Sequence, residues 1–439
     1  MAFQRPNPLL IPELARMLCD FVDQSDLLNL ALTCKFLFYP ACERLWKRLN
    51  PRSLVALRKI KNTLDGKYKR PFTINYSAFV WEFLWTASND QRAARFERDF
   101  FHIFRFPFLQ RLEFSFAAAQ DATVVNIMAN TRHLQHVDFS HCYCLTTDAI
   151  RPLLNMPPGQ LKTLILYGCG QIDRRALVYL IHRHASSLTY IGLTDINDQI
   201  MFAIQKCPQL RALGLEHCSD TDLTEDAITE FCNTLKAKNM HLQQLRVRDI
   251  QSLTTEHVCD LARTCADTLR HLDMSECVKV SQTAFLDLSM YCTRIETFSI
   301  GYQAEVTNCA ISKLLQNCMS LKNLDVAGCF NLSSEAFQPI LDDELTFVPA
   351  LETLNITNLE TEISSSTVIN LLNRLRAIRE ITLGVAYDLS EANKIVHHVN
   401  AVRRFIVNDE EDDGYRDLAD DLFFVDVEQC HTIRKLMHE

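Results

Sequence analysis

The sequence predicts an α/β fold: a right-handed solenoid with parallel strands inside and helices outside. Three observations predict it. A short apolar pattern recurs through most of the chain, its spacing suits one strand plus one helix, and helix-start signals follow the copies. The pattern is an apolar residue, two others, an apolar residue, one other, and a third apolar residue. It opens with Leu109/Leu112/Phe114, Leu134/Val137/Phe139 and Leu161/Leu164/Leu166, and closes with Val402/Phe405/Val407. There are twelve copies, mostly 25 to 27 residues apart. Within each copy the second and third apolar residues lie two apart, so they share one face of a short strand. Helical stretches follow. Thr224-Glu225-Asp226-Ala227-Ile228 is typical: threonine suits a cap, and acids in the first turn suit the helix dipole. Thr254, Ser333 and Ser390 open other copies. No single strand–helix unit can bury its apolar face alone, but stacked units bury a continuous core.

A period of this length with this triplet identifies leucine-rich repeats. Cysteine falls three residues after the last apolar position at Cys142, Cys169, Cys218, Cys277 and Cys329, and three before the next triplet at Cys207, Cys292 and Cys318. The chain thereby resembles the cysteine-containing class of these repeats, over roughly residues 105 to 408. Its 17 cysteines are read as small apolar core residues and free thiols. A lone Cys142/Cys144 pair is weak grounds for a metal, and none is expected. The spacing shortens between Leu188 and Leu210 and lengthens between Leu210 and Leu242, and Leu341 to Pro349 adds residues before Leu351. These length changes are expected as irregular loops.

Composition narrows the function. Net charge is −9 with a pI near 5.9, which argues against nucleic acid as the main partner. Ten glycines leave little for phosphate-binding loops, and Gly168-Cys169-Gly170 starts a dinucleotide motif that then fails. No apolar run is long enough to span a bilayer, and Pro12, Glu13 and Arg16 interrupt any signal-peptide core. A cytoplasmic or nuclear location, with no membrane partner, is expected.

The N-terminal residues suggest three short helices. Pro12 suits a helix start, and Leu14, Met17, Leu18 and Phe21 follow at helical spacing. Ser25-Asp26 could cap a second helix, and a third would hold Cys34, Phe38 and Cys42. Ile11-Pro12-Glu13-Leu14, Asp26-Leu27-Leu28, Cys34-Lys35 and Leu45-Trp46 together resemble an F-box. The resemblance implies docking on the Skp adaptor of SCF-type ubiquitin ligases, and through it on cullin and RING subunits. By resemblance Leu10, Ile11, Pro12, Leu14, Leu27, Leu28 and Cys34 would line that contact, while Trp46 would support the helices themselves. The whole chain is similar to fungal F-box proteins with leucine-rich repeats.

This gives four segments. Residues 5–50 form the F-box, 51–105 a helical linker and N-terminal cap, 106–408 the repeats, and 409–439 an acidic capping segment or tail. A basic stretch, Lys59 to Arg70, reads as a solvated face, and Phe72 to Trp85 as packing on the first repeat.

A target protein would bind the concave side, where residues between and just after the strand leucines point. Candidates are His136, Asp138, Tyr167, Tyr190, Glu216, Arg246, Arg248, His271 and Asp273. At about 4.8 Å per strand, twelve repeats span roughly 50 Å, enough for an extended peptide or a domain. Arg246 and Arg248 share one strand face and suit a phosphorylated target, but Glu216 and Asp273 on neighbouring repeats suit internal ion pairs. No Walker loop, HExxH or nucleophile elbow occurs, and no catalytic residue or cofactor is expected. The expected role is the substrate-recognition subunit of an SCF ligase. The alternative is an interaction scaffold outside any ligase.

Overall fold

The computed structural model describes residues 11–51, 53–64, 75–86, 105–116, 119–129, 131–342, 350–359, 363–383 and 404–407. Leu10, the acidic segment 409–439 and most of the insertion after Leu341 lie outside them. The chain divides into two compact units, Met1–Thr194 with Lys206–Gln209, and Asp195–Gln205 with Leu210–Glu439.

The first unit opens with helices α1 (Pro12–Asp20), α2 (Leu27–Thr33) and α3 (Lys35–Lys47). Pro12 occupies the first turn of α1, where its missing N–H costs nothing. Asp26 precedes α2, but its side chain makes no capping hydrogen bond; the Asp26 and Leu27 N–H groups instead donate to the Asp23 carbonyl. The core between these helices is small: Cys19, Leu27, Ala31 and Ala41, flanked by Val22, Leu30, Phe38 and Leu45. Trp46 packs on Tyr76 in a tilted arrangement at 4.8 Å, and Tyr39 meets Phe79 edge-on at 5.1 Å. Trp46 therefore contacts the short turn Tyr76–Phe79 that leads into the sheet.

Six parallel strands follow in chain order: β1 (Arg48–Leu49), β2 (Glu82–Thr86), β3 (Arg111–Ser115), β4 (His136–Asp138), β5 (Thr163–Leu166) and β6 (Tyr190–Thr194). The sheet thus begins before the first predicted repeat. Val80, Phe83 and Trp85 repeat the apolar triplet inside the segment read as a helical linker, and all three are buried. In register, Phe83 aligns with Leu112, Val137, Leu164 and Ile191. Large rings fill this end of the core: Phe83 stacks on Phe106 at 5.6 Å and lies 6.2 Å from Phe114.

The second unit holds β7 (Ala212–Cys218), β8 (Gln244–Ile250), β9 (His271–Asp273), β10 (Thr297–Ser299), β11 (Asn323–Asp325), β12 (Thr353–Ile356), β13 (Glu380–Leu383) and β14 (Arg404–Val407), all parallel and consecutive. A helix follows each of β7 to β10. The short and the long spacing around Leu210 resolve into helix length rather than loops. The short repeat carries the seven-residue helix Asp198–Ile204, and the long one the thirteen-residue helix Glu225–Ala237. Asp198 also receives the N–H and hydroxyl of Thr224, the cap of the next helix, at 2.8 and 3.0 Å. Asp121 holds Thr146 in the same way in the first unit. Ser333 starts a 3-10 turn, Ser334–Phe337, and the short helix Gln338–Leu341.

The periodic cysteines are core residues. The thiols of Cys142, Cys169, Cys277 and Cys329 donate to the carbonyls of Phe114, Phe139, Val247 and Ile300, each the last apolar residue of the preceding repeat's triplet, at 3.4, 3.1, 3.0 and 3.1 Å. Burial pushes Cys169, Cys277 and Cys329 up to about 12, so these thiols stay protonated.

Candidate protein-interaction site

Two surfaces stand out. The first is on α1 and α2. Leu14, Met17 and Phe21 recur at helical spacing on α1 and its C-terminal cap, and all are exposed, Phe21 to 85%. Leu28 and Leu32 on α2 are exposed to 56% and 74%. Ile11 and Pro12, just ahead of Leu14, are exposed too. Leu27 departs from expectation. It is buried among Cys19, Ala31 and Ala41 and holds the helices together, so it offers no outer surface. Cys34 is exposed at the start of α3, where the Leu37 N–H stabilises its thiolate and lowers its pKa.

The second surface is the face of each sheet opposite the helices. On β3–β5 the His136 ring meets the Thr163 hydroxyl at 2.8 Å, and Arg111 pairs with Glu113 at 3.0 Å. Asp138 accepts both the N–H and the hydroxyl of Ser140, at 2.9 and 2.6 Å. Tyr167 is buried rather than open to a partner. Its ring lies over Gly192, where an added Cβ would fall 2.8 Å from the ring, and its hydroxyl reaches that of Tyr190 at 3.5 Å.

On β7–β12 the same devices recur. Asp273 closes a turn on Ser275 at 3.1 and 2.8 Å, and Asn355 one on Thr357 at 3.2 and 3.0 Å. His271, Thr297, Asn323 and Thr353 are neighbours in register, linked in a chain by contacts of 3.1, 3.1 and 2.8 Å. Burial lowers the pKa of both His136 and His271, favouring neutral rings. Arg246 lies between two acids, 2.8 Å from Glu216 and 3.6 Å from Asp273. Arg248 reaches Glu276 at 3.2 Å. Glu216 and Asp273 are both buried, so this is an internal charge ladder. Its arginines are committed to the protein's own carboxylates.

One periodic feature escaped the sequence reading. Two residues after each of the first ten triplets the backbone turns left-handed: Phe116, His141, Gly168, Asp195, His217, Asp249, Glu276, Tyr302, Gly328 and Asn358. Its N–H donates to the next repeat, as from His141 to Tyr167, Glu276 to Gly301 and Tyr302 to Ala327, at 2.7, 3.0 and 2.7 Å. The turn therefore extends the hydrogen-bonded ladder beyond the strand ends. The Asp-x-Ser and Asn-x-Thr spacings at 138–140, 273–275 and 355–357 were the available signal for these turns.

No group of three or more metal-ligating side chains lies together among the described residues, and no described helix is long and apolar enough to cross a membrane. No family model matches the chain. A chain in the crystal structure of the yeast Rad7 and Elc1 complex is similar to it, with a TM-score of 0.59 and 14% identity over 91% of this chain and 90% of that chain. The leucine-rich repeat-containing protein LegL7 from Legionella pneumophila has 12% identity over 73% of this chain and 93% of that chain, with a TM-score of 0.38. The fold is an α/β leucine-rich-repeat solenoid, an architecture suited to binding other proteins.

Proposed function

We propose that the protein is the substrate-recognition subunit of an SCF-type ubiquitin ligase. Its N-terminal helices would bind a Skp-family adaptor, and its repeats would hold the target. The observation that carries this reading is the exposed apolar row on α1 and α2. Leu14, Met17, Phe21, Leu28 and Leu32 face outward from a module whose central core is Leu27 with Cys19, Ala31 and Ala41, flanked by half-buried Val22, Leu30, Phe38 and Leu45. Such a surface is costly in water and is characteristic of a protein contact. The F-box resemblance supplies the adaptor as the partner. The fold-level neighbour was crystallised in a complex with Elc1, a precedent for a partnered chain of this architecture. On this reading the protein performs no bond chemistry itself. It raises the effective concentration of target near a charged conjugating enzyme.

The test is co-purification with the Skp adaptor and cullin, for the native chain and for Leu14→Asp/Leu28→Asp. Both substituted side chains are exposed, so the fold should survive. A stoichiometric complex lost in the variant is the expected outcome. A folded native chain that captures no adaptor overturns the proposal, and adaptor without cullin would favour a scaffold outside the ligase.

A further inference from the structure

Helix Arg174–His184 of the first unit ends on a histidine that neither surface above uses. His184 is fully buried. Its Nδ1 faces two backbone N–H groups, those of Leu161 and Gln160, at 3.3 and 3.4 Å. Both are donors, so Nδ1 accepts and carries no proton. The ring proton therefore sits on Nε2, which donates to the Leu153 carbonyl at 3.3 Å. The ring thus joins the last turn of the preceding helix, Thr147–Leu154, to the residues that lead into β5. Arg183 holds the same segment. Its Nε donates to the Met156 carbonyl at 2.8 Å, and its carbonyl accepts the Gly159 N–H at 3.2 Å.

A repeat of the second unit makes the same junction without a titrating ring. Cys265 matches His184: its carbonyl accepts the N–H groups of Thr268 and Leu269, as that of His184 accepts those of Ser187 and Leu188. The Thr268 hydroxyl spans Leu242 and Cys265 as the Ser187 hydroxyl spans Leu161 and His184. The Leu242 N–H meets the Cys265 thiol, whose pKa burial raises, so this group stays neutral. An uncharged side chain is therefore sufficient for the packing. Histidine adds a site that gains charge just below neutral pH.

The surroundings resist that charge. Burial opposes the imidazolium most, the Leu153 carbonyl favours it, and the Arg183 charge opposes it. The other charged or titratable groups on the packed segments are Asp148 and Arg151 on the preceding helix, Lys162 just ahead of β5, His182, and Arg132, whose carbonyl receives the Gln160 side-chain amide at 2.9 Å. Asp148, the one carboxylate in this set, is held by Arg151 at 2.6 Å.

We propose that His184 is an acid-sensitive latch between consecutive repeats of the first unit. A proton on Nδ1 sets a further donor against the Leu161 and Gln160 N–H groups, so both bonds break and the segment Asn155–Leu161 is released from the end of the helix. Pro157, Pro158 and Gly159 in that segment are exposed, so only a short stretch has to move for water to reach the ring. β5 begins at Thr163, whose hydroxyl meets His136 on the helix-free face. Acidification therefore loosens the row offered to a target. That consequence rests on the target-binding reading; the latch does not.

The experiment is hydrogen exchange on the full chain at pH 7.5 and 5.5, corrected for the intrinsic pH dependence of exchange. It follows Asn155–Leu161 beside Asn239–Leu242, the matching segment at Cys265. Protection of Asn155–Leu161 is expected to fall about five- to tenfold, because pH 5.5 lies one unit below the ordinary 6.5 of a released histidine. Asn239–Leu242 should keep its protection. In His184→Cys, which carries the side chain of the matching position, both segments should keep it. Unchanged protection in the native chain, an equal fall in both segments, or a fall that persists in His184→Cys overturns the proposal. If the variant does not fold, the native chain still decides: its His184 ring must titrate below 6.5 by NMR, and titration at or above that value overturns the latch. No readout uses adaptor or target, so failure here is separable from failure of the ligase reading.

Discussion

At the scale of single residues, the inner face is decided by where charge is buried. Asp325 shows this best. Burial, reinforced by the nearby Asp273 carboxylate, pushes its pKa up to about 6, although the Ala327 N–H at 3.0 Å and the Ser299 hydroxyl at 3.4 Å favour the ionised form. The folded protein therefore holds this proton to a higher pH than the unfolded chain, whose aspartates titrate near 3.8. Between those values the native state binds more protons, so the contribution to stability is full at low pH and is lost as pH rises through about 6. Asn355 occupies the same row with a neutral amide, and its Oδ1 receives the same turn N–H at 3.2 Å from Thr357. Asp325→Asn should keep the turn and abolish the titration. Its melting temperature relative to the native chain should be higher at pH 7.5 than at pH 4.5, and an equal difference at both would refute the assignment. Parity along the strands was legible in the sequence, because Arg246 and Arg248 must share a face once Leu245 and Val247 point inward. The burial of Tyr167 was not. It depends on Gly192, a strand away, leaving room for a ring.

At the scale of elements, the repeat is a strand, a left-handed exit turn and a helix. The strand and helix were legible because their apolar periods differ and recur. The turn was hidden because its key position holds Phe, His, Asp, Glu or Tyr as readily as glycine. An L-residue there costs about 1–2 kcal/mol, offset by the N–H donated to the next repeat. The first strands were obscured for another reason. Val80, Phe83 and Trp85 keep the triplet spacing, but aromatics replace leucine and 29 residues separate Val80 from Leu109. Glycine at the turn has a second use. Gly328 has φ +67°, and an added Cβ would meet the Tyr302 ring at 2.5 Å. Gly328→Ala should therefore destabilise by roughly 1–3 kcal/mol, combining the left-handed cost with a clash. Gly328→Ala/Tyr302→Ala should recover the clash component and leave the backbone one. Denaturant unfolding of these two variants, of Tyr302→Ala and of the native chain measures both, and a strictly additive loss would remove the ring contact from the account.

At the scale of the whole molecule, stability should be uneven. Repeat proteins are stabilised by each unit and its neighbour, and Leu272, Phe298, Leu324 and Leu354 form an almost fully buried, in-register row through four consecutive strands. Truncating one such leucine costs about 2–5 kcal/mol. The N-terminal helices have no comparable row. Leu27 and Leu37 are the large aliphatic side chains buried among the described residues of α1–α3, and Cys19, Ala31 and Ala41 pack around Leu27. Burying a leucine contributes about 1.5–3 kcal/mol, while ordering each backbone residue costs about 1–2 kcal/mol. The contacts of Trp46 with Tyr76 and Tyr39 with Phe79 anchor α3, but they leave α1 and α2 resting on that small core. Native-state hydrogen exchange on the full chain should therefore show α1 and α2 opening well before β9–β12, with α3 between them. An adaptor that binds the folded helices stabilises them by mass action, so its addition should protect α1 and α2 while leaving β9–β12 unchanged. Equal protection of α1 and β10 without a partner would contradict the small-core argument. Protection spread evenly on adding adaptor would place its contact somewhere other than the exposed row of Leu14, Met17, Phe21, Leu28 and Leu32.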